Sequence, residues 1–217
     1  MYRRLAVFLF ILLQALPVQS LEVNITRDLA QFQVRHGERS VTVMRKQDRG
    51  AMIAPDFMLT SRPCPPFCAQ PMQVAPGVRT IGEVELIDFM RNELAQGSGI
   101  LVDARTPDWH QRGTIPGSVN IPYTRLNPAQ GADDITLSEA LAHFNVTERD
   151  GGWDFSRARH VVLWCNGPWC GQSPTAIRGL LSIGYPADKL LYYRGGLQVW
   201  RVFGLTVVSP EGEPLEE

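Results

Sequence analysis

Apolar positions change their period along this chain, and each change marks an element. Leu5 to Leu13 is one unbroken apolar run. Phe32-Gln33-Val34-Arg35 and Val41-Thr42-Val43-Met44 alternate apolar and polar residues on either side of the polar stretch 36–40, which predicts a β-hairpin. After Gly50, Pro55, Pro63, Pro65, Pro66, Pro71 and Pro76 exclude regular helix and predict a chain wrapped over another surface. From Arg79 the pattern becomes strand and helix in turn. Val84, Ile87, Met90 and Leu94 predict a helix from Thr80 to about Leu94, closed by Gly97-Ser98-Gly99. Short buried strands are predicted at Ile100–Asp103 and Val119–Pro122. A helix is predicted over Thr136–Phe144, followed by a polar loop at Gly151-Gly152. Then come a strand over His160–Trp164, a helix over Ser173–Ile183 and a strand over Leu190–Tyr193. This alternation is that of an α/β fold with a parallel sheet. Residues 21–75 are too few to bury a core of their own and are expected to pack on the region that follows.

The first apolar run has a different meaning. It follows Arg3-Arg4, is shorter than the ~20 residues a bilayer-spanning helix needs, and leads through Pro17 to Val18 and Ser20. That is the pattern of a secretory signal peptide, with cleavage expected near Ser20. The mature chain is then exported, in the periplasm, with no membrane span. It carries 19 basic against 22 acidic residues. Such a balance offers no basic field for nucleic acid.

Export makes the four cysteines a disulfide question, because thiols oxidise outside the cytoplasm. Cys64-Pro-Pro-Phe-Cys68 and Cys165-Asn-Gly-Pro-Trp-Cys170 are two close pairs. The spacings depart from zinc knuckles, and no His adjoins either pair, so no metal is expected. Local pairing suits thiol exchange better than long-range staples do. Cys64 and Cys68 are a candidate redox pair or a small staple.

The chemistry concentrates after the His160–Trp164 strand. Cys165 stands where a buried strand surfaces and a helix is about to begin. Sites in parallel α/β sheets form at such strand ends. A short glycine-containing loop turns backbone N–H groups inward, and a helix N-terminus adds positive potential. Both favour the thiolate, which is the nucleophile.

The chain from about Arg79 to Val208 resembles a rhodanese (sulfurtransferase) domain. Leu101-Val-Asp-Ala-Arg-Thr-Pro107, followed by Gly113-Thr-Ile-Pro-Gly-Ser-Val-Asn-Ile-Pro122, is similar to the family's Asp-x-Arg and Gly-His-Ile-Pro-Gly signatures. Val161–Ser173 resembles its strand, cysteine and loop, and Tyr193-Arg-Gly-Gly-Leu-Gln-Val-Trp200 with Gly204 its closing motif. The resemblance implies an α/β single domain over residues 79–208, with a central parallel sheet flanked by helices. A signal peptide (1–20) and a small β-rich extension (21–78) precede it, and a tail (209–217) follows. It implies that Cys165 takes up sulfane sulfur as a persulfide, with no cofactor. A small donor, thiosulfate or a persulfide, would supply the sulfur, and a thiol, a partner protein or cyanide would accept it. Asn166, Gly167, Pro168, Trp169, Gly171, Gln172 and Ser173 would form the substrate loop, and Asp103 and Arg105 would brace it.

Three departures from the family pattern matter. The stretch between Cys165 and Ser173 is longer, a second cysteine (Cys170) lies inside it, and Gly171-Gln172 replaces the expected loop cation. The missing cation disfavours thiosulfate, a dianion; Arg178 and Arg194 are the nearest candidates to replace it. His110 is expected on a helix surface, and Trp169 either walls the loop or packs. Cys170 admits a resolving-thiol role, which leaves two alternatives to sulfur transfer. One is a thiol–disulfide redox protein using Cys165/Cys170 with Cys64/Cys68. The other is a catalytically inactive binding module.

Overall fold

The computed structural model describes residues 23–60 and 69–215; the expected signal peptide and the Cys64/Cys68 pair lie outside the described residues. An antiparallel hairpin, β1 (Gln31–His36) and β2 (Arg39–Met44), opens the chain, in the register that pairs Val34 with Val41. Five parallel strands form the central sheet: β3 (Arg79–Ile81), β4 (Gly99–Asp103), β5 (Ser118–Asn120), β8 (His160–Trp164) and β9 (Leu190–Tyr193). Their order is β3-β9-β8-β4-β5, which puts β8 in the middle. Strands buried on both faces read as unbroken apolar runs. Ile100-Leu101-Val102 and Val161-Val162-Leu163-Trp164 are therefore legible, and nearly every residue in them is fully buried.

Helices cover both faces. On one, α4 (Asp134–Ala142) and α5 (Gln172–Ser182) bury Leu137, Leu141, Ala176, Ile177 and Leu180 against Leu163 and Tyr192. On the other, α2 (Glu83–Phe89) and α6 (Gly196–Val202) bury Leu86, Leu197 and Trp200 with Trp164. Val34, Val41 and Val43 of the hairpin join this second core. The hairpin thus packs on the sheet domain, as its size requires, and Lys46 N–H and Thr206 N–H bond across to Gly204 and Met44 carbonyls at 2.7 and 3.1 Å.

Several elements differ from the pattern-based expectation. The helix expected from Thr80 begins at Glu83, since Thr80 and Ile81 belong to edge strand β3. Glu85 accepts from Gly82 N–H at 3.0 Å and fixes that start, and the last turn (Met90–Leu94) winds as a π-helix. Pro55 does not exclude helix but opens a single turn, α1 (Pro55–Met58), because the first helical position needs no N–H. Asp133 caps Thr136 N–H at 2.8 Å, so α4 starts two residues early. The polar loop at Gly151-Gly152 is a small hairpin, β6 (Thr147–Arg149) with β7 (Gly152–Asp154). Its turn is Asp150-Gly151, both with positive φ, a dipeptide suited to that geometry. A further short helix, α3 (Pro107–His110), follows β4. Among the described residues no helix is long and apolar enough to cross a membrane.

Candidate active site

Cys165 leaves the carboxyl end of central strand β8, and residues 166–171 loop from it into α5. Five carbonyl groups between Cys165 and Gly171 are bonded to other N–H groups. Leu197 N–H and Gln198 N–H, at the start of α6, bond the carbonyls of Cys165 and Asn166 at 3.0 and 2.9 Å. Cys170 N–H takes Gly167 O at 2.9 Å, Gln70 N–H takes Pro168 O at 2.8 Å, and Thr175 N–H takes Gly171 O at 3.0 Å. With these carbonyls occupied, the N–H groups of Asn166 and Ser173 face Cys165 and form a nest for negative charge.

Both sulfurs sit in it, 2% and 4% exposed for Cys165 and Cys170, and both are free thiols. Ser173 Oγ donates to Cys165 Sγ at 3.1 Å, and the Cys165 thiol reaches Cys170 O at 3.3 Å. Burial opposes the Cys165 thiolate. The Cys170 thiol, the Ser173 hydroxyl and the N–H groups of Ser173 and Asn166 outweigh it, and the Cys165 thiol ionises below its ordinary value. Cys170 is the reverse case. Burial, then the bond to Cys165 and the charge on it, push its thiol well up. Gln172 Oε1 lies 3.7 Å from Cys170 Sγ, a second acceptor for the same proton. The two sulfurs therefore differ: the Cys165 thiol gives up its proton more readily than an ordinary one, and the Cys170 thiol, five residues on, less readily.

The loop is held from three sides. The first brace is ionic. Arg105, fully buried, grips Asp103 at 2.8 Å through Nε and 2.6 Å through Nη2, bonds Gly113 O at 2.7 Å, and reaches Asn166 Oδ1 at 3.3 Å. Its guanidinium stacks 4.7 Å from the Trp164 ring centroid. Thr114 Oγ1 and His110 Nδ1 each lie 3.0 Å from Asp103 Oδ2. Burial works against the Asp103 carboxylate, but Arg105 and then His110 hold its ionisation below the usual range. His110 is thus not a surface residue of its helix: it points inward to complete the Asp103 cluster, with its side chain 13% exposed.

The second brace is α6. Gln198 receives the Trp169 indole N–H at 3.0 Å and donates to Phe57 O at 2.9 Å, so Trp169 walls the loop from a fixed position. The third comes from before the domain. Besides its N–H bond to Pro168, Gln70 offers its carbonyl to Arg194 Nε at 3.0 Å. Arg194 is thereby committed to the extension, and Arg178 lies exposed on α5. Among the described residues neither hydrogen bonds to residues 165–173, and Arg105 is the side-chain cation that reaches the loop, at Asn166.

The structure therefore brings Cys165, Cys170, Asn166–Ser173, Asp103 and Arg105 into one constellation. It adds His110, Gln70 and Gln198. Gln198 lies inside the closing Tyr193–Trp200 motif, a readable signal. Gln70 carries none, since its contact is made through the backbone. Among the described residues no group of three His, Cys, Asp or Glu side chains is placed to hold a metal.

Comparison with known proteins finds sequence relatives and solved structures similar to part of this chain. A sulfurtransferase of Allochromatium vinosum is 31% identical over 113 residues, 52% of this chain and 81% of that protein. An HTH-type transcriptional regulator of Mycobacterium tuberculosis is 29% identical over 119 residues, 55% of this chain. The chain spans only 41% of that regulator's length. Among solved structures, the human single-domain sulfurtransferase is 24% identical, with 58% of this chain covering 96% of that one at a TM-score of 0.38. Residues 86–202 match the rhodanese-like domain family, and the chain belongs to it.

Proposed function

We propose that this protein is a sulfurtransferase that carries sulfane sulfur as a persulfide on Cys165. The observation that supports this best is the setting of the sulfur: Cys165 lies in a nest of N–H groups with Ser173 Oγ at 3.1 Å, and its thiol ionises more readily than an ordinary one despite burial. The thiolate attacks the outer sulfur of a donor R–S–SH. The Cys165–sulfur bond forms, the donor's S–S bond breaks, and its electron pair and the proton leave as R–SH. An acceptor thiolate then takes the outer sulfur by the same displacement. A loop without its own side-chain cation favours a persulfide donor over thiosulfate, whose two charges would need one. Export through residues 1–20 is part of the same proposal and places this exchange outside the cytoplasm.

The test is peptide mass spectrometry on reduced protein treated with a small alkyl persulfide or with thiosulfate. One added sulfur on the Cys165 peptide, absent in Cys165→Ser, is the expected result; wild-type protein that takes up none refutes it. The adjacency of Cys170 supports a second reading, a Cys165–Cys170 dithiol that exchanges with Cys64/Cys68 or a partner. In that case the same spectra show the Cys165–Cys170 disulfide and never a persulfide.

A further inference from the structure

Three tyrosines are buried in the sheet domain, and two have settled partners. Tyr185 donates to Arg159 O at 2.6 Å, and Tyr193 donates to Glu83 Oε1 at 3.0 Å. Tyr192 is fully buried, yet among the described residues its hydroxyl has no hydrogen-bond partner. Buried hydroxyls are almost always paired, because leaving one unpaired forfeits its hydration without return. Phenylalanine would fill the same space without that cost.

The place of the orphan gives it a use. Tyr192 pairs in register with Leu163, two residues before Cys165 on the neighbouring strand. Side chains two apart on a strand share a face, and Tyr192 lies in the core with Leu163 and Ala176, on the face that α5 covers. The nearest charges its hydroxyl senses are those of Cys165, Arg194, Cys170 and Arg178. Burial, then Cys165, raises its ionisation far above neutrality, so it stays a donor. It is thus a committed donor whose strand partner stands two residues before Cys165, and among the described residues it has no acceptor.

We propose that the Tyr192 hydroxyl donates a hydrogen bond to the outer sulfur of the Cys165 persulfide and is a catalytic residue of the transfer. This rests on the sulfurtransferase reading. A transferred sulfur adds one atom about 2 Å beyond Sγ and brings the charge with it. Cys165–S⁻ and R–S–SH give Cys165–S–S⁻ and R–SH, and the tyrosine keeps its proton throughout. Its bond is absent in the resting thiolate and present in the product, so it favours loading without changing the free thiol.

Tyr192→Phe tests this with three readouts: melting temperature, the alkylation rate of Cys165 in sulfur-free reduced protein, and the rate of sulfur loading from a small alkyl persulfide by quenched mass spectrometry. The variant is expected to melt at or above the wild-type temperature, to alkylate at the wild-type rate, and to load sulfur roughly ten-fold more slowly or worse, the size of a lost bond to a charged group. Unchanged loading overturns the proposal and leaves sulfur transfer standing. A parallel fall in alkylation and loading also overturns it, since the tyrosine would then act on the thiol's setting alone. Wild-type protein that takes up no sulfur removes the sulfurtransferase reading and this one with it. Should the variant not fold, fluorine NMR of fluorotyrosine-labelled wild-type protein replaces it: one buried tyrosine resonance is expected to move on loading, and a spectrum without such a shift refutes the inference.

Discussion

Gly196 is where the last helix meets the catalytic loop, and a single methyl group there should disable both. It adopts φ +58°, the left-handed region that costs an L-residue about 1–2 kcal/mol. A Cβ at this position would lie 2.3 Å from Cys165 O, 2.6 Å from Gly167 N and 2.9 Å from Asn166 C, all backbone atoms. Ordinary contact needs roughly 3.5 Å, so helix and loop must part by about 1 Å. That separation breaks the bonds from Leu197 N–H and Gln198 N–H to the Cys165 and Asn166 carbonyls, each about 1 kcal/mol. Strain and lost bonds together give Gly196→Ala a cost of about 3–4 kcal/mol, or a melting temperature lower by roughly ten degrees in a chain this size. Gly97→Ala separates the two contributions. Gly97 has φ +74° but open space around its would-be Cβ, so that variant should lose only the strain. Thermal unfolding measures both. Pulsed alkylation of Cys165, well below the transition, should show the Gly196→Ala thiol slower to react than wild type because the N–H nest has opened. If the two variants lose equal stability and Cys165 reacts normally in both, the close approach of α6 does not hold the loop, and this reasoning fails.

Other perturbations reach different parts of the site. Ser173→Ala removes one donor to the thiolate, a bond of about 1.5–3 kcal/mol, so the alkylation rate of Cys165 near neutral pH should fall roughly ten-fold or more; an unchanged rate would show that the backbone donors suffice. Arg105→Met leaves Asp103 buried without its cation, which should cost about 3–5 kcal/mol in denaturant unfolding; a loss below 1 kcal/mol would mean that His110 and Thr114 satisfy the carboxylate alone. His36 sets a pH dependence of stability. Gly117 N–H donates to its Nδ1 at 3.0 Å, and its Nε2 donates to Pro210 O at 3.0 Å, so the folded state requires the neutral ring. Burial, the largest influence, lowers its ionisation below 6.5. Its contribution is therefore complete above pH 6.5 and is lost as pH falls from there towards the folded-state value. Melting curves should show that drop in wild type and a flatter profile in His36→Gln; identical profiles would contradict it.

The parts of this molecule that a sequence displays are those whose cause is local. The buried strands read directly, because fully covered strands are unbroken apolar runs with no alternation to misread. The loop after Cys165 reads as well, since the strand before it and the helix after it are both local patterns, although a cysteine at such a place is by itself more often a core residue. Edge strand β3 did not, because Thr80-Ile81 continues into a helical apolar period and only its pairing with β9 makes it a strand. The β6–β7 hairpin carried a usable signal in Asp150-Gly151, hidden by exposed strands with no apolar face. His110 was misplaced for a different reason. A one-turn helix has no period from which to infer a buried side, and its direction is set by Asp103, a partner fixed by tertiary folding. Gln70 lies beyond any such inference, since the group that bonds the loop is its backbone N–H.

The division of labour between the two thiols follows from what surrounds them rather than from their order in the chain. Both are buried, so desolvation penalises either thiolate, and only one charge fits in the nest. Asn166 N–H is shared between the two sulfurs, while Ser173 supplies Cys165 with a hydroxyl and an N–H, against a single further N–H, that of Gln172, for Cys170. The extra donor decides which sulfur ionises, and that charge then keeps its neighbour protonated. Under the proposed sulfur transfer, attack by Cys165 moves its negative charge outward onto the leaving group or the outer sulfur, and the repulsion that holds Cys170 protonated weakens. Cys170 becomes a stronger acid only after Cys165 has reacted. A loop cation would blunt this sequence by stabilising both thiolates at once. On that proposal, its replacement by Gly171-Gln172 helps keep the ionisation exclusive and makes the order of events a property of the loop.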